Sequence, residues 1–273
     1  MSTAVSARFD SVSPPALRFG VPALLGLGLV WAYWPTLGAL ANTWARDPQY
    51  SHGFLVPVFA AVLLWQRRGM LQAVTFEPCW WGLPFLAFAA VLRLAAAWFF
   101  YPWFDTVSLL PCLVGVAVLC GGWPALRWSW PGIAFLLFMF PLPYRLGIFM
   151  APTLQRLATV VSTYALQTLG FPAMSEGNII MLNEARIGVV EACGGLSMLI
   201  VFFALTTAVA MLIRADIKDK IFIVLSALPI AVIANVARIT LTSMLHDLAG
   251  RNAADAFHDI AGWFMMPLAL GML

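Results

Sequence analysis

The sequence predicts an all-α, polytopic membrane protein of about eight spanning helices, with a short external β-hairpin and an interfacial helix ahead of one cysteine. Three observations predict it. Of the 273 residues, 62% are hydrophobic and only 10% are charged, whereas a soluble domain is about half apolar and about a quarter charged. Mean hydropathy is +0.90. The 12 Trp and 20 Phe suit the aromatic belts found at the two membrane–water interfaces. So few charges cannot coat a water-facing surface, which excludes a cytosolic enzyme, a disordered chain and a nucleic-acid binder. Four cysteines without a CxxC pair exclude a secreted disulfide scaffold.

A spanning helix needs about 20 mostly apolar residues, and about 17 suffice in a thin bilayer. The expected spans are 21–41, 52–66, 80–101, 107–123, 130–143, 194–213, 221–245 and 258 to the C-terminus. Residues 1–20 hold two prolines and two arginines but no apolar core or A-x-A site. They read as a cytoplasmic tail before an anchor rather than a cleaved signal peptide, and 21–273 reads as one membrane domain. Cytoplasmic loops carry an excess of Lys and Arg. Placing the N-terminus inside puts Arg8, Arg18, Arg67, Arg68, Arg127, Arg214, Lys218 and Lys220 on the cytoplasmic side. Arg46, Arg145, Arg156, Arg186 and Arg251 then fall outside, as do the loops 42–51, 102–106, 144–193 and 246–257. In a bacterium this describes a multi-pass inner-membrane protein.

The external segment 144–193 changes character midway. From Tyr144 to Gly170 the leucines recur at helical spacing with Arg145, Gln155 and Arg156, the pattern of an amphipathic helix or re-entrant piece at the interface. Residues 177–182 and 187–190 then read as two β runs about the turn-forming Asn183-Glu184, a hairpin. It delivers the chain to Glu191-Ala192-Cys193-Gly194-Gly195 at the mouth of the sixth span.

Cys79, Cys112 and Cys120 lie in or beside apolar spans and read as inert buried thiols. Cys193 differs, because it stands where a polar segment ends and a helix begins. A helix N-terminus lowers a thiol pKa, and the N–H groups of Gly194 and Gly195 suit an oxyanion. The alternative is that Gly-Gly only permits close helix packing. A thiolate needs a proton shuttle, and His52, His246 and His258 all fall on the side of Cys193. Arg238 sits among Leu, Ile, Val and Ala in the seventh span, where a charge costs at least ~2.5 kcal/mol and faces a polar cavity or a partner. Snorkelling to the headgroups is the alternative. Asn235, three residues earlier, shares its helix face. Arg93 in the third span has the same ambiguity, with Asp105 or Glu191 as a partner.

Five motifs together resemble the exosortase/archaeosortase family. They are Tyr50-Ser51-His52-Gly53-Phe54-Leu55-Val56-Pro57, Pro141-Leu142-Pro143, Glu191-Ala192-Cys193-Gly194-Gly195-Leu196, Asn235-Val236-Ala237-Arg238 and Phe257-His258-Asp259-Ile260-Ala261-Gly262-Trp263. Each is weak alone; in this order on a polytopic frame they are specific. The resemblance implies a multi-span cysteine transpeptidase. Its substrates would be exported, membrane-anchored proteins carrying a C-terminal sorting signal: a Pro-Glu-Pro-type motif, a transmembrane helix and a basic tail. It implies an essential set that falls on Cys193, Arg238 and His258, and so selects His258 over His246. The chain departs from the family pattern at Gly194, where serine usually follows the cysteine.

The reaction so implied is acyl transfer through a thioester at the outer face of the membrane, with the final acceptor unidentified. His52, Glu191, Asn235, Gly194, Gly195 and Arg93 are candidates for substrate binding or support. No cofactor is implied, and the His and Cys residues lack paired metal-ligand spacing. The rival reading is a transporter or polysaccharide-export subunit, which would be expected to show internal repeats or broken midplane helices.

Overall fold

A computed structural model describes residues 15–72, 77, 79–183, 185–189, 195–257, 260–261 and 271. The described chain is mostly helical and divides into two compact units, Met1–Gly38 with Gly69–Trp130, and Ala39–Arg68 with Pro131–Leu273.

In the first unit the chain enters along α1 (Pro15–Ala32) and the start of α2 (Trp34–Arg46), and returns through α4 (Gly69–Gln72), α5 (Gly82–Phe99) and α6 (Pro102–Phe135). α5 and α6 form an antiparallel hairpin. Phe100 turns it in the left-handed region, φ 50°, its N–H bonding back to the Ala96 carbonyl. Two glycines let the helices approach. A Cβ on Gly82 would lie 2.5 Å from the Gly115 carbonyl oxygen, and one on Gly115 would lie 2.9 Å from that of Gly82. Small residues at such crossings hold membrane helices together by backbone proximity. Gly122 breaks α6 at φ 66°, and a Cβ there would meet the Glu77 carbonyl oxygen at 2.5 Å. From Pro102 to Gly122 the helix rises about 30 Å at 1.5 Å per residue, the thickness of a bilayer's hydrocarbon core. Exposed aromatics mark both ends, with Trp98, Phe99 and Phe100 at one and Trp80, Trp81 and Trp123 at the other.

The second unit is built on α8 (Leu196–Leu212) and α9 (Ile217–Ala249). Met198, Leu199 and Phe202 of α8 interlock with Ala227, Ile230, Ala231 and Ala234 of α9. α7 (Tyr144–Thr168) packs on α9 and on a three-stranded antiparallel sheet, β1 (Ala173–Glu176), β2 (Ile179–Leu182) and β3 (Ala185–Gly188). Ile180 pairs with Ser175 on one side and with Ile187 on the other. Ala158, Leu166, Ala173, Ile180, Leu182, Val189 and Ile239 form the core beneath the sheet. α3 (Leu55–Gln66) follows a 3-10 turn, Pro48–Phe54, and both pack against α8.

Several expectations change. Among the described residues three helical stretches are long and apolar enough to cross a membrane: Gly82–Phe99, Pro102–Met139 and Ile217–Ala249. A fourth would be the pair Ala23–Ala32 and Trp34–Arg46, bent by 62°. The stretches expected at 107–123 and 130–143 are not separated by a loop; 124–129 is helical, and the break is at Gly122. The 52–66 stretch has only the twelve-residue α3, about 18 Å of helix. The 246–257 stretch, expected as a loop, is helical at 246–249 and 251–257. The eighth stretch lies largely outside the described residues. The sheet has a strand, β1, with no counterpart in the two expected runs.

α7 is helical as expected, with Arg145 and Arg156 exposed. It also has a second polar set, turned inward. Thr159, Ser162 and Thr163 are buried, while Leu157, Val160, Val161 and Tyr164 are exposed. A helix with its apolar side outward is the arrangement that lipid favours, because the polar groups then satisfy one another inside the protein.

Candidate active site

Arg238 lies near the middle of α9, one turn past Asn235. The arginine is 6% exposed and the asparagine 2%, so Arg238 is turned into the protein rather than snorkelling to a headgroup. A guanidinium in an apolar helix needs polar company. Arg238 Nη2 donates to Asn235 Oδ1 at 3.2 Å.

The other end of the same amide faces α8. Gly195 is the N-cap of that helix at φ 91°, and its carbonyl accepts the Leu199 N–H at 2.9 Å. A Cβ on Gly195 would stand 3.1 Å from Asn235 Nδ2. Glycine is required twice here, for the left-handed backbone and for the close amide. With no side chain at the N-cap, no side-chain hydrogen bond caps the first turn of α8, which is the positive end of its dipole. Asn235 and Gly195 also line a cavity of about 10 Å³ with Leu154, Ala158, Leu199 and Ala231, about the space that holds one water.

α7 supplies the wall opposite α9. Thr159 donates to the Gln155 carbonyl and Thr163 to that of Thr159, both at 2.8 Å. The Ser162 hydroxyl reaches the Val236 carbonyl on α9 at 3.5 Å. The Gln155 amide donates to the Val189 carbonyl, and the Val189 N–H donates to Asn178 at 2.8 Å. Asn183, at φ 52° between β2 and β3, donates to Asp247 near the end of α9 at 2.8 Å. Gln155 thus ties the chain just before residues 190–194, and the Asn235 amide packs close to Gly195 just after them.

His52 sits in the 3-10 turn, 7% exposed. Its Nε2–H donates to the Phe138 carbonyl at 3.2 Å. Trp44 Nε1–H donates to the Met139 carbonyl at 2.9 Å, and a Cβ on Gly53 would clash with the Trp44 ring, 2.3 Å from Nε1. Burial pushes the Tyr50 hydroxyl above its usual pKa; a backbone hydrogen bond with Leu142 opposes this, and the Asp47 carboxylate adds to it. The Tyr50–Leu142 contact joins the Tyr50–Pro57 and Pro141–Pro143 motifs, and His52 bonds the chain just before the second.

Arg93 belongs to the other unit. Its Nε donates to Asp105 at 2.9 Å, and its guanidinium lies over the Tyr33 ring at 4.4 Å. Thr36 donates to the same carboxylate, and Tyr33 and Ser108 share a hydrogen bond of 2.8 Å. Of the two partners expected from sequence, Asp105 is found on Arg93, and Glu191 lies outside the described residues.

The structure thus brings Arg238, Asn235 and Gly195 together, with His52 in the same unit and Arg93 in the other. Cys193, Gly194, Glu191 and His258 lie outside the described residues. Sequence reasoning missed the buried hydroxyls of α7 and the Gln155 strap. Their signal was Gln155, Thr159 and Ser162-Thr163 on one helix face, of which sequence reasoning singled out only Gln155.

A family model described as transmembrane exosortase matches residues 44–273. No curated protein and no solved structure matches the chain.

Proposed function

The chain belongs to the transmembrane exosortase family, and on that premise we propose that it is a membrane-embedded cysteine peptidase and transpeptidase of C-terminal sorting signals. The observation that carries this reading is the buried Arg238–Asn235 pair packed against Gly195, two residues after Cys193. Two peptide links hold the Cys193 Cα within about 7.6 Å of that of Gly195. A cysteine on this tether, at the uncapped end of α8, has the helix dipole to favour its thiolate.

In the proposed reaction the Cys193 thiolate attacks the scissile carbonyl. The carbonyl π pair moves to oxygen, and the Arg238 guanidinium and backbone N–H groups beside Gly194 hold the oxyanion. The oxyanion collapses, the C–N bond breaks, and the leaving amine takes a proton from His258. The acyl group stays on sulfur as a thioester. An amine, or water, gives a proton back to His258 and attacks the thioester, releasing the thiolate. Substrates would be membrane-anchored, so the cleaved bond meets water while its flanking helix stays in lipid. The outer face of an inner membrane is the proposed location.

The test is co-expression with a membrane-anchored reporter bearing such a signal, followed by mass spectrometry of any acyl-enzyme. The expected result is an acyl adduct on Cys193 and loss of processing in Cys193→Ala, with Cys112→Ala unaffected. Processing retained in Cys193→Ala, at wild-type membrane abundance, would falsify the cysteine mechanism.

A further inference from the structure

Beyond that reading, we infer that the Gly122 end of the α5–α6 hairpin binds the headgroup of an anionic phospholipid. A cavity of about 550 Å³ opens there, lined by Met70, Trp123, Pro124, Leu126, Arg127 and Trp130. Its volume is that of a small-molecule site. Trp123, Arg127 and Trp130 stand at i, i+4 and i+7 of α6, on one helix face, and all three are exposed.

Depth and charge select the occupant. Gly122 lies a full hydrocarbon thickness from Pro102, so the cavity just beyond it falls at headgroup level, among Trp80, Trp81 and Trp123. Indoles settle at this depth because one edge is apolar and the other hydrogen-bonds. A guanidinium between two indoles offers a planar fork to a phosphate, while Met70 and Leu126 offer an apolar wall to the first acyl carbons. The flanking sequence favours an anion. No Asp or Glu occurs from 48 to 76 or from 106 to 175, and Arg67-Arg68 immediately precede Gly69-Met70. Glu77, whose carbonyl oxygen abuts the Gly122 position, is the acidic residue closest to the break. The basic residues outnumber it. A soluble anion would meet the Arg127 charge but would leave the indoles and the apolar wall facing water, so the lipid fits the whole cavity.

The experiment is native mass spectrometry of the purified full chain after exchange with mixed micelles of phosphatidylglycerol and phosphatidylcholine in equal amounts. Wild type is expected to retain phosphatidylglycerol preferentially. Arg127→Gln should lower that preference about fivefold, the usual contribution of one interfacial arginine. Arg127→Lys should keep most of it, and Trp123→Ala/Trp130→Ala should lower retention of both lipids. Arg251→Gln, on an exposed residue, should change nothing. Excess glycerol 1-phosphate should not displace the bound lipid. Equal retention of the two lipids by wild type overturns the inference, whether or not the variants fold. So does an unchanged preference in Arg127→Gln, or displacement by glycerol 1-phosphate, which would mark a site for soluble anions.

Discussion

Two arginines in apolar helices show how the two units use charge differently. Arg93 on α5 binds a carboxylate, Asp105, at 2.9 Å, with side chains 34% and 27% exposed. Arg238 on α9 is 6% exposed, and its Nη2 meets the neutral amide of Asn235. A carboxylate cancels a guanidinium's charge, whereas an amide orients it and leaves the charge in place. The first contact is of the kind that secures a fold. The second, a neutral group that orients a guanidinium without opposing its charge, is of the kind the proposed oxyanion role of Arg238 calls for. Burial alone does not separate the two; the chemistry of the contact does.

The sharpest way to break this comparison is Arg238→Ala. Processing of a sorting-signal reporter should fall at least ~10²-fold, while the melting temperature in detergent changes little. A large drop in melting with processing preserved would place Arg238 among the structural ion pairs.

Gly195→Ala should come next. The substitution forces a Cβ into a left-handed residue 3.1 Å from Asn235 Nδ2, and such backbone strain costs of order 1–3 kcal/mol. Because the amide that yields is the one holding Arg238, processing should drop about tenfold or more. Gly250→Ala is the control, since its φ is 84° with nothing within 4 Å of a Cβ; in reporter assays it should process as wild type does.

Asn235→Ala removes a hydrogen bond to a charged group, of order 1.5–3 kcal/mol, and should slow turnover about tenfold while leaving reporter affinity nearly constant. Asn235→Asp sharpens the point. It nearly preserves shape but adds the cancelling charge, so it should be at least as slow as the alanine variant in the same kinetic assay.

The smallest effect belongs to Arg93→Ala. A half-exposed pair contributes about 1 kcal/mol or less, so processing should persist and melting should fall by a few degrees. Arg93→Ala/Asp105→Asn should recover part of that loss, as a double-mutant cycle on thermal melts would show. Loss of processing without loss of stability would move Arg93 into the catalytic machinery.

The apolar composition already contained the membrane character of the chain, and Asn235 and Arg238 shared a helix face by their spacing alone. The interior of α7 was not legible in the same way. A stripe of Gln155, Thr159, Ser162 and Thr163 looks identical in sequence whether it faces water or another helix, and only the packing of α7 on α9 decided it. The Gly122 break was hidden too. Glycines occur within ordinary helices, and only the structure shows Gly122 at φ 66° with the Glu77 carbonyl packed against the space a Cβ would take.

The amino-acid sequence alone was enough to mark the chain as a membrane protein of the transmembrane exosortase type. Hydropathy and motif order are local properties, additive along the chain, and they survive without coordinates. Tertiary structure alone decided that Asn235 lies between Arg238 and Gly195, that Arg93 bonds Asp105, and that Tyr50 and His52 meet the 138–142 segment. Those are contacts between residues far apart in sequence, and packing selects them from many partners that periodicity treats as equivalent.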